Sequence, residues 1–143
     1  MLCVDVNVLV YAHRRDLDDH ATIRAWLDAA RTGAETVGLC DAVASGFLRV
    51  VTNARVFIDP TPFDDALAFL EVLRASPSVA VVQPGERHWG VFVELCRTIG
   101  ATGNDVPDAY LAALAIEHGA TWVSADRGFA RFPKLRWALP NSA

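Results

Sequence analysis

Positive charge, paired cysteines and long apolar runs are all scarce in this 143-residue chain, and each scarcity removes a class of function. The 13 Lys and Arg are outnumbered by 17 Asp and Glu, for a formal charge of -4. That argues against a broad basic face of the kind that tracks a phosphate backbone without regard to sequence. It leaves room for an enzyme acting on nucleic acid, because carboxylates that hold a divalent cation count as bare negative charge in a sequence. An acidic chain also suits a basic protein partner. Cys3, Cys40 and Cys96 are odd in number and far apart. They form neither a disulfide framework nor a CxxC metal pattern, and a reducing, cytoplasmic setting is expected. The N-terminus has no basic lead-in and carries Asp5 inside its apolar run, which makes a poor export signal. No apolar stretch approaches the ~20 residues that cross a bilayer, so no membrane partner is expected.

What is present is enough for a core. Hydrophobic residues make up 52% of the chain and charged residues only 21%, the balance of a globular protein; a single domain over residues 1–143 is expected. Short β-branched and apolar runs predict strands at 2–6, 36–39, 79–82 and 121–124, with a short last one at 135–139. Between them, apolar residues recur at helical spacing. Helices are predicted from Val8, over 19–30, and from Asp41 as N-cap to about Thr52. A fourth follows Pro62, with Phe63, Leu67, Leu70 and Leu73 facing inward, and two more cover 87–99 and 105–118, the last stopped by Gly119. Strands alternating with helices predict an α/β fold with a mainly parallel central sheet.

In parallel sheets ligands gather outside the carboxyl ends of the strands. Asp5 falls near the end of the first predicted strand and Asp126 just past the fourth. Asp105 and Asp108 open the helix that precedes that fourth strand, three residues apart on one helix end. Four carboxylates gathered there repel one another unless a cation neutralises them, and Mg²⁺ suits such oxygen ligands. The chemistry suggested is metal-assisted phosphodiester hydrolysis. Structural alternatives stand beside this. Asp105 and Asp108 around Pro107 also make a helix cap, and Asp126 also suits a turn before Arg127-Gly128. Asp5 is harder to explain structurally, since a buried acid is costly unless paired or metal-bound and no basic residue is near it in sequence.

With these residues in place, the chain resembles the PIN-domain family, in particular the VapC toxins of bacterial toxin–antitoxin pairs. The resemblance runs over nearly the whole chain. It rests on Val4-Asp5-Val6-Asn7-Val8-Leu9, on Gly46-Phe47-Leu48-Arg49-Val50-Val51-Thr52-Asn53, and on Asp108-Ala109-Tyr110-Leu111-Ala112-Ala113 leading to Ser124-Ala125-Asp126. It implies a three-layer α/β/α sandwich and metal-dependent cleavage of RNA, of the tRNA or rRNA class, with Mg²⁺ or Mn²⁺ as cofactor. It also implies a VapB-like antitoxin partner and a homodimer. By the same match Asp5, Asp108 and Asp126 are the catalytic and metal-binding acids, Asn7 orients the first carboxylate and Ser124 hydrogen-bonds within the site. Asp105 falls off the family's core positions and is an auxiliary candidate.

One departure stands out. The family places a Glu on the helix after the second strand, where this chain has Ala44-Ser45-Gly46-Phe47. Asp41 can reach the same pocket from one turn earlier, or serve as a plain N-cap. The missing Glu motivates a rival reading, a catalytically weakened PIN fold that binds RNA or protein. A third rival is a haloacid-dehalogenase-like phosphatase, which also opens on a strand ending in Asp. That chemistry wants a second Asp two residues on, where this chain has Asn7.

The remaining features are less specific. His13, His20, His88 and His118 lack metal-ligand spacing and read as surface or capping residues. Trp26, Trp89, Trp122 and Trp137 read as core or interface. Arg14, Arg15, Arg127 and Arg131 flank the acids and suit RNA phosphates, or are solvated surface arginines. Phe57, Phe63, Leu67 and Leu70 belong to the core or to an apolar groove for an antitoxin helix or a second copy of the chain.

Overall fold

The uninterrupted apolar triplet Leu2–Val4 forms β1 with all three residues buried, as a strand covered on both faces requires. The computed structural model describes residues 1–142. After β1 come helices α1 (Val6–His13) and α2 (His20–Ala30), then strand β2 (Val37–Cys40). Helices α3 (Asp41–Val51) and α4 (Phe63–Arg74) lead to β3 (Val79–Val82), and α5 (His88–Ile99) and α6 (Asp105–Glu117) to β4 (Thr121–Val123). A short 3-10 helix, Arg127–Arg131, and β5 (Arg136–Ala138) complete the order.

The strand order is β3-β2-β1-β4-β5 and every pairing is parallel. The chain winds outward from β1 to β3, then crosses back to β4 on the other side of β1. Right-handed crossovers place α1 to α4 over one face and α5 and α6 over the other. The packing agrees: α1 lies on α2 and α3, and α5 lies on α6. This is the three-layer α/β/α sandwich expected from the sequence. The winding reverses between β1 and β4, and at such a reversal an open α/β sheet leaves a crevice beyond its strand ends.

The sheet and both helical layers share one apolar core, with Trp122, Phe47, Leu9 and Leu114 fully buried. Gly38 in β2 permits the closest approach in it. A Cβ there would lie 2.9 Å from Cys3 Sγ and 3.1 Å from Val82 Cγ1. Burial pushes the Cys3 thiol up to about 11, which keeps it protonated. All three cysteines are free thiols, in keeping with their spacing. Gly119, at φ 61°, takes the left-handed turn between α6 and β4 where a side chain would be strained. Among the described residues no helix is long and apolar enough to cross a membrane.

The sequence-based expectations need correcting in four places. β3 is an edge strand rather than a fully buried one, with only Val82 buried and Val81 exposed, because nothing pairs with its outer side. Phe63 is exposed; it opens α4 too early to reach the core, and Ala66, Leu70 and Leu73 form the buried stripe instead. The cap of α3 is Cys40, not Asp41, which is already in the first helical turn and makes no capping hydrogen bond. His88 is buried rather than superficial, its Nε2 2.9 Å from the Tyr110 carbonyl, while Trp89 is 69% exposed, which excludes the core and leaves the interface reading.

Candidate active site

The site begins with a residue that ends one element and starts another. Asp5 leaves β1 in extended conformation (φ −82°, ψ 163°), and its Oδ1 accepts the Val6 amide at 2.7 Å, capping α1. Its own backbone N–H donates to the Val123 carbonyl at 3.0 Å, so β4 holds the residue in register. Oδ2 accepts the Ser124 hydroxyl at 2.6 Å and Asn7 Nδ2 at 3.2 Å.

Asn7 and Ser124 form the rest of this staple across the sheet's switch point. Asn7 donates to Ser124 Oγ at 3.0 Å, and its Oδ1 accepts the Ala125 amide at 3.0 Å. Ser124 Oγ in turn accepts the Asp126 amide at 3.0 Å. The Asp126 carboxylate takes the Gly128 amide at 2.8 Å and caps the 3-10 helix. A turn cap and an outward-facing acid are thus the same residue, which is why sequence alone leaves both readings open.

The third acid arrives from α6. Asp108 lines the same cavity as Asp5 and Asp126, a cleft of about 960 Å³ whose walls also include Asn104, Tyr110 and Phe129. Asp5 is only 7% exposed. Burial holds its carboxyl above the usual range, the Ser124 and Val6 hydrogen bonds oppose that rise, and the charges of Asp108 and Asp126 add to it. The carboxylates therefore feel one another. Arg131 supplies part of the balance: its Nη2 donates to Asp108 at 3.0 Å and to Asp105 at 3.2 Å.

Among the described residues no three His, Cys, Asp or Glu side chains close into a ready-made metal cage. That donor set still fits a hydrated Mg²⁺, which is content with one or two carboxylates and fills its shell with water and substrate oxygens. It does not fit Zn²⁺, which wants nitrogen or sulfur ligands. Each histidine is otherwise engaged: His13 with Thr61, His20 with the Tyr11 carbonyl, His88 with that of Tyr110 and His118 with that of Gln83.

Several candidates fall elsewhere. Asp41 pairs with Arg74 at 2.9 Å and is absent from the cavity wall. Asp105 also lies off the wall, held by Arg131 and accepting the Thr102 amide at 3.3 Å. Arg14 is a clamp rather than a free phosphate contact. Its guanidinium grips Asp16 at 2.7 and 2.8 Å and the Asp59 carbonyl at 2.7 Å, and lies 4.0 Å over the Phe57 ring. Arg15 and Arg127 are exposed and outside the cavity wall.

On the α3 side the wall consists of Ala42, Ser45, Gly46, Arg49 and Val50. These recur at helical spacing on one face, a pattern that in hindsight separates Arg49 from the other arginines. No acid is present on this face. A Cβ on Gly46 would meet Val6 Cγ2 at 2.8 Å, so α1 already fills the space where a side chain would begin.

Comparison with known proteins converges on one family. Residues 2–135 match the PIN domain family. Ribonuclease VapC43 of Mycobacterium tuberculosis is 55% identical to this chain, covering 98% of it and 95% of its own length. Among solved structures, VapBC-1 from nontypeable Haemophilus influenzae superposes with a TM-score of 0.70 at 14% identity, covering 99% of this chain and 98% of its own. VapBC2 from Rickettsia felis, solved with a DNA fragment from its promoter, gives 0.69 at 18% identity over 96% and 97%.

Proposed function

Because the chain belongs to the PIN domain family, in its VapC branch, we propose that it is an endoribonuclease toxin acting with a divalent cation, Mg²⁺ or Mn²⁺. The observation that carries this is Asp5, a buried carboxylate held by Ser124 and Asn7 and loaded with the charges of Asp108 and Asp126. A group so placed is costly to ionise unless a cation shares the site. Asp5, Asp108 and Asp126 would hold that cation, which supplies positive charge for the phosphate and acidifies water.

The chain's own residues do the rest. Ser124 and Asn7 fix the rotamer of Asp5, which lines the cleft. Asn104 and Tyr110 border the same cleft. Hydrolysis then breaks one P–O bond to a ribose oxygen and adds water across it. The cleft suits a nucleotide drawn out of a folded RNA, in line with a tRNA or rRNA substrate. The kinship with VapC proteins supports a VapB-like antitoxin as partner, and a homodimer is part of the same proposal. The chain's net charge of -4 suits a basic antitoxin segment.

The test is direct. Antitoxin-free protein should cleave structured RNA in Mg²⁺, lose at least about 100-fold of that rate in EDTA, and regain it when Mg²⁺ is restored. Cleavage that persists undiminished in EDTA overturns the metal assignment. The bare α3 face, without the family Glu, favours one second reading: a weakened PIN fold that binds RNA but does not cut it. Tight Mg²⁺-independent RNA binding with no cleavage would select it.

A further inference from the structure

We propose that Arg49 is a substrate-binding residue, a phosphate contact that seats the nucleotide next to the scissile bond; this rests on the ribonuclease reading above. The cleft is acidic at its catalytic end, yet its substrate is a polyanion. Among the residues lining it, Arg49 carries the only positive charge. Three other arginines are already committed, and Arg15 and Arg127 lie off the cavity wall. Arg131 is bound to Asp105 and Asp108, Arg14 to Asp16 and the Asp59 carbonyl, and Arg74 to Asp41. Arg49 is exposed and makes no ion pair or side-chain hydrogen bond among the described residues.

Its position follows from helix geometry. Gly46 abuts Val6, the residue directly after Asp5. Arg49 sits one turn farther along the same face of α3, roughly 4.5 Å of helix rise beyond. The glycine leaves no side chain between them. A guanidinium there reaches past the reacting phosphate to the next one along the strand, where its fork can take two phosphate oxygens. The exposed Ser45 hydroxyl borders the same path. A cation at this point attracts the backbone without touching the metal-binding acids, so it acts on binding rather than on the chemical step.

The experiment compares the wild type with Arg49→Ala and Arg49→Lys by RNA cleavage kinetics in Mg²⁺, and by RNA binding in EDTA across a salt series. For Arg49→Ala the expected result is a KM and Kd raised about 10-fold, as loss of one charge-assisted contact implies. The salt slope of binding should fall by about 0.7, and kcat should stay within about threefold. Arg49→Lys should keep the salt slope and recover only part of the affinity, since it restores the charge but not the fork. An unchanged KM and salt slope in Arg49→Ala, with wild-type cleavage intact, overturns the proposal. So does a loss confined to kcat. If the wild type itself neither cleaves nor binds RNA, the ribonuclease reading has failed instead.

Discussion

Asp5→Asn should lower the RNA cleavage rate by about 10²–10³-fold while the protein still folds, the size typical of removing one electrostatic group from a reacting centre. Asn is close to isosteric and can still accept one of the hydrogen bonds that Val6 and Ser124 offer. It cannot supply the negative charge. Asp108→Asn and Asp126→Asn should follow in the same direction. Asp105→Asn and Asp41→Asn should stay near wild type, because those carboxylates serve Arg131 and Arg74 outside the cleft. Single-turnover cleavage on matched RNA separates the outcomes, and full activity in Asp5→Asn would falsify the site.

The same carboxylate should leave a mark on stability in the absence of metal. Its folded-state pKa is raised above 3.8, chiefly by burial. The native protein therefore keeps this proton to higher pH than the unfolded chain does. Between 3.8 and the raised native value the folded state binds more protons, so stability contributed by Asp5 is present at the acid end and lost as pH rises. The loss runs at up to about 1.4 kcal/mol per pH unit. In EDTA, the melting temperature of wild type minus that of Asp5→Asn should fall as pH climbs from 4 toward neutrality. Addition of Mg²⁺ at pH 7 should then raise the wild type and leave the variant unmoved. Parallel pH curves for the two proteins would contradict the account.

A second large effect is expected in the core behind the site. Trp122 is fully buried in β4, packs against Phe129 with ring centroids 5.5 Å apart, and directly precedes the Val123-Ser124 segment that positions Asp5. Trp122→Ala should cost about 3–5 kcal/mol. For a chain of this size that is a fall of roughly 10–20 °C in Tm. Trp122→Phe should cost far less than its lost volume suggests. Among the described residues the buried indole N–H has no hydrogen-bond partner, and its removal returns about 1–3 kcal/mol of desolvation penalty. Urea denaturation of the two variants decides this: Phe as damaging as Ala would mean the orphan N–H carries no penalty. Because Phe129 also lines the cleft, Trp122→Ala should weaken cleavage even below its melting temperature.

Local patterning carried the reading of the elements a long way. The apolar run places a strand and then a helix at the N-terminus, because strand burial depends on near neighbours, but the strand ends at Val4 rather than residue 6 and the helix starts at Val6 rather than Val8, with Asp5 as its cap. Gly119 after the Ala-rich α6 is local in the same sense. The errors arose where a partner is distant. Asp41 reads as an N-cap or as a replacement for the absent Glu; the structure puts the cap at Cys40 and pairs Asp41 with Arg74, 33 positions away. Arg14 looked free until the Asp59 carbonyl and the Phe57 ring closed on it. Phe63 looked inward because its spacing matched the stripe, but the first residue of α4 overhangs the core rather than entering it.

The alternation of short strands with amphipathic helices was enough to require a parallel α/β sheet, since period and burial are properties of each segment alone. The placement of Asp5 in an apolar strand was enough to single it out, since a buried acid is costly unless paired, whereas Asp108 and Asp126 read equally as a helix cap and a turn residue and joined it only through the family resemblance. Which charges remain available is another matter. It depends on crossovers that bring α3, α6 and the 3-10 helix around one crevice, where Arg131 is spent on the acids and Arg49 lines the wall without an ion pair among the described residues. Charge pairing falls off over a few ångströms, and no spacing along the chain reports distances across the fold.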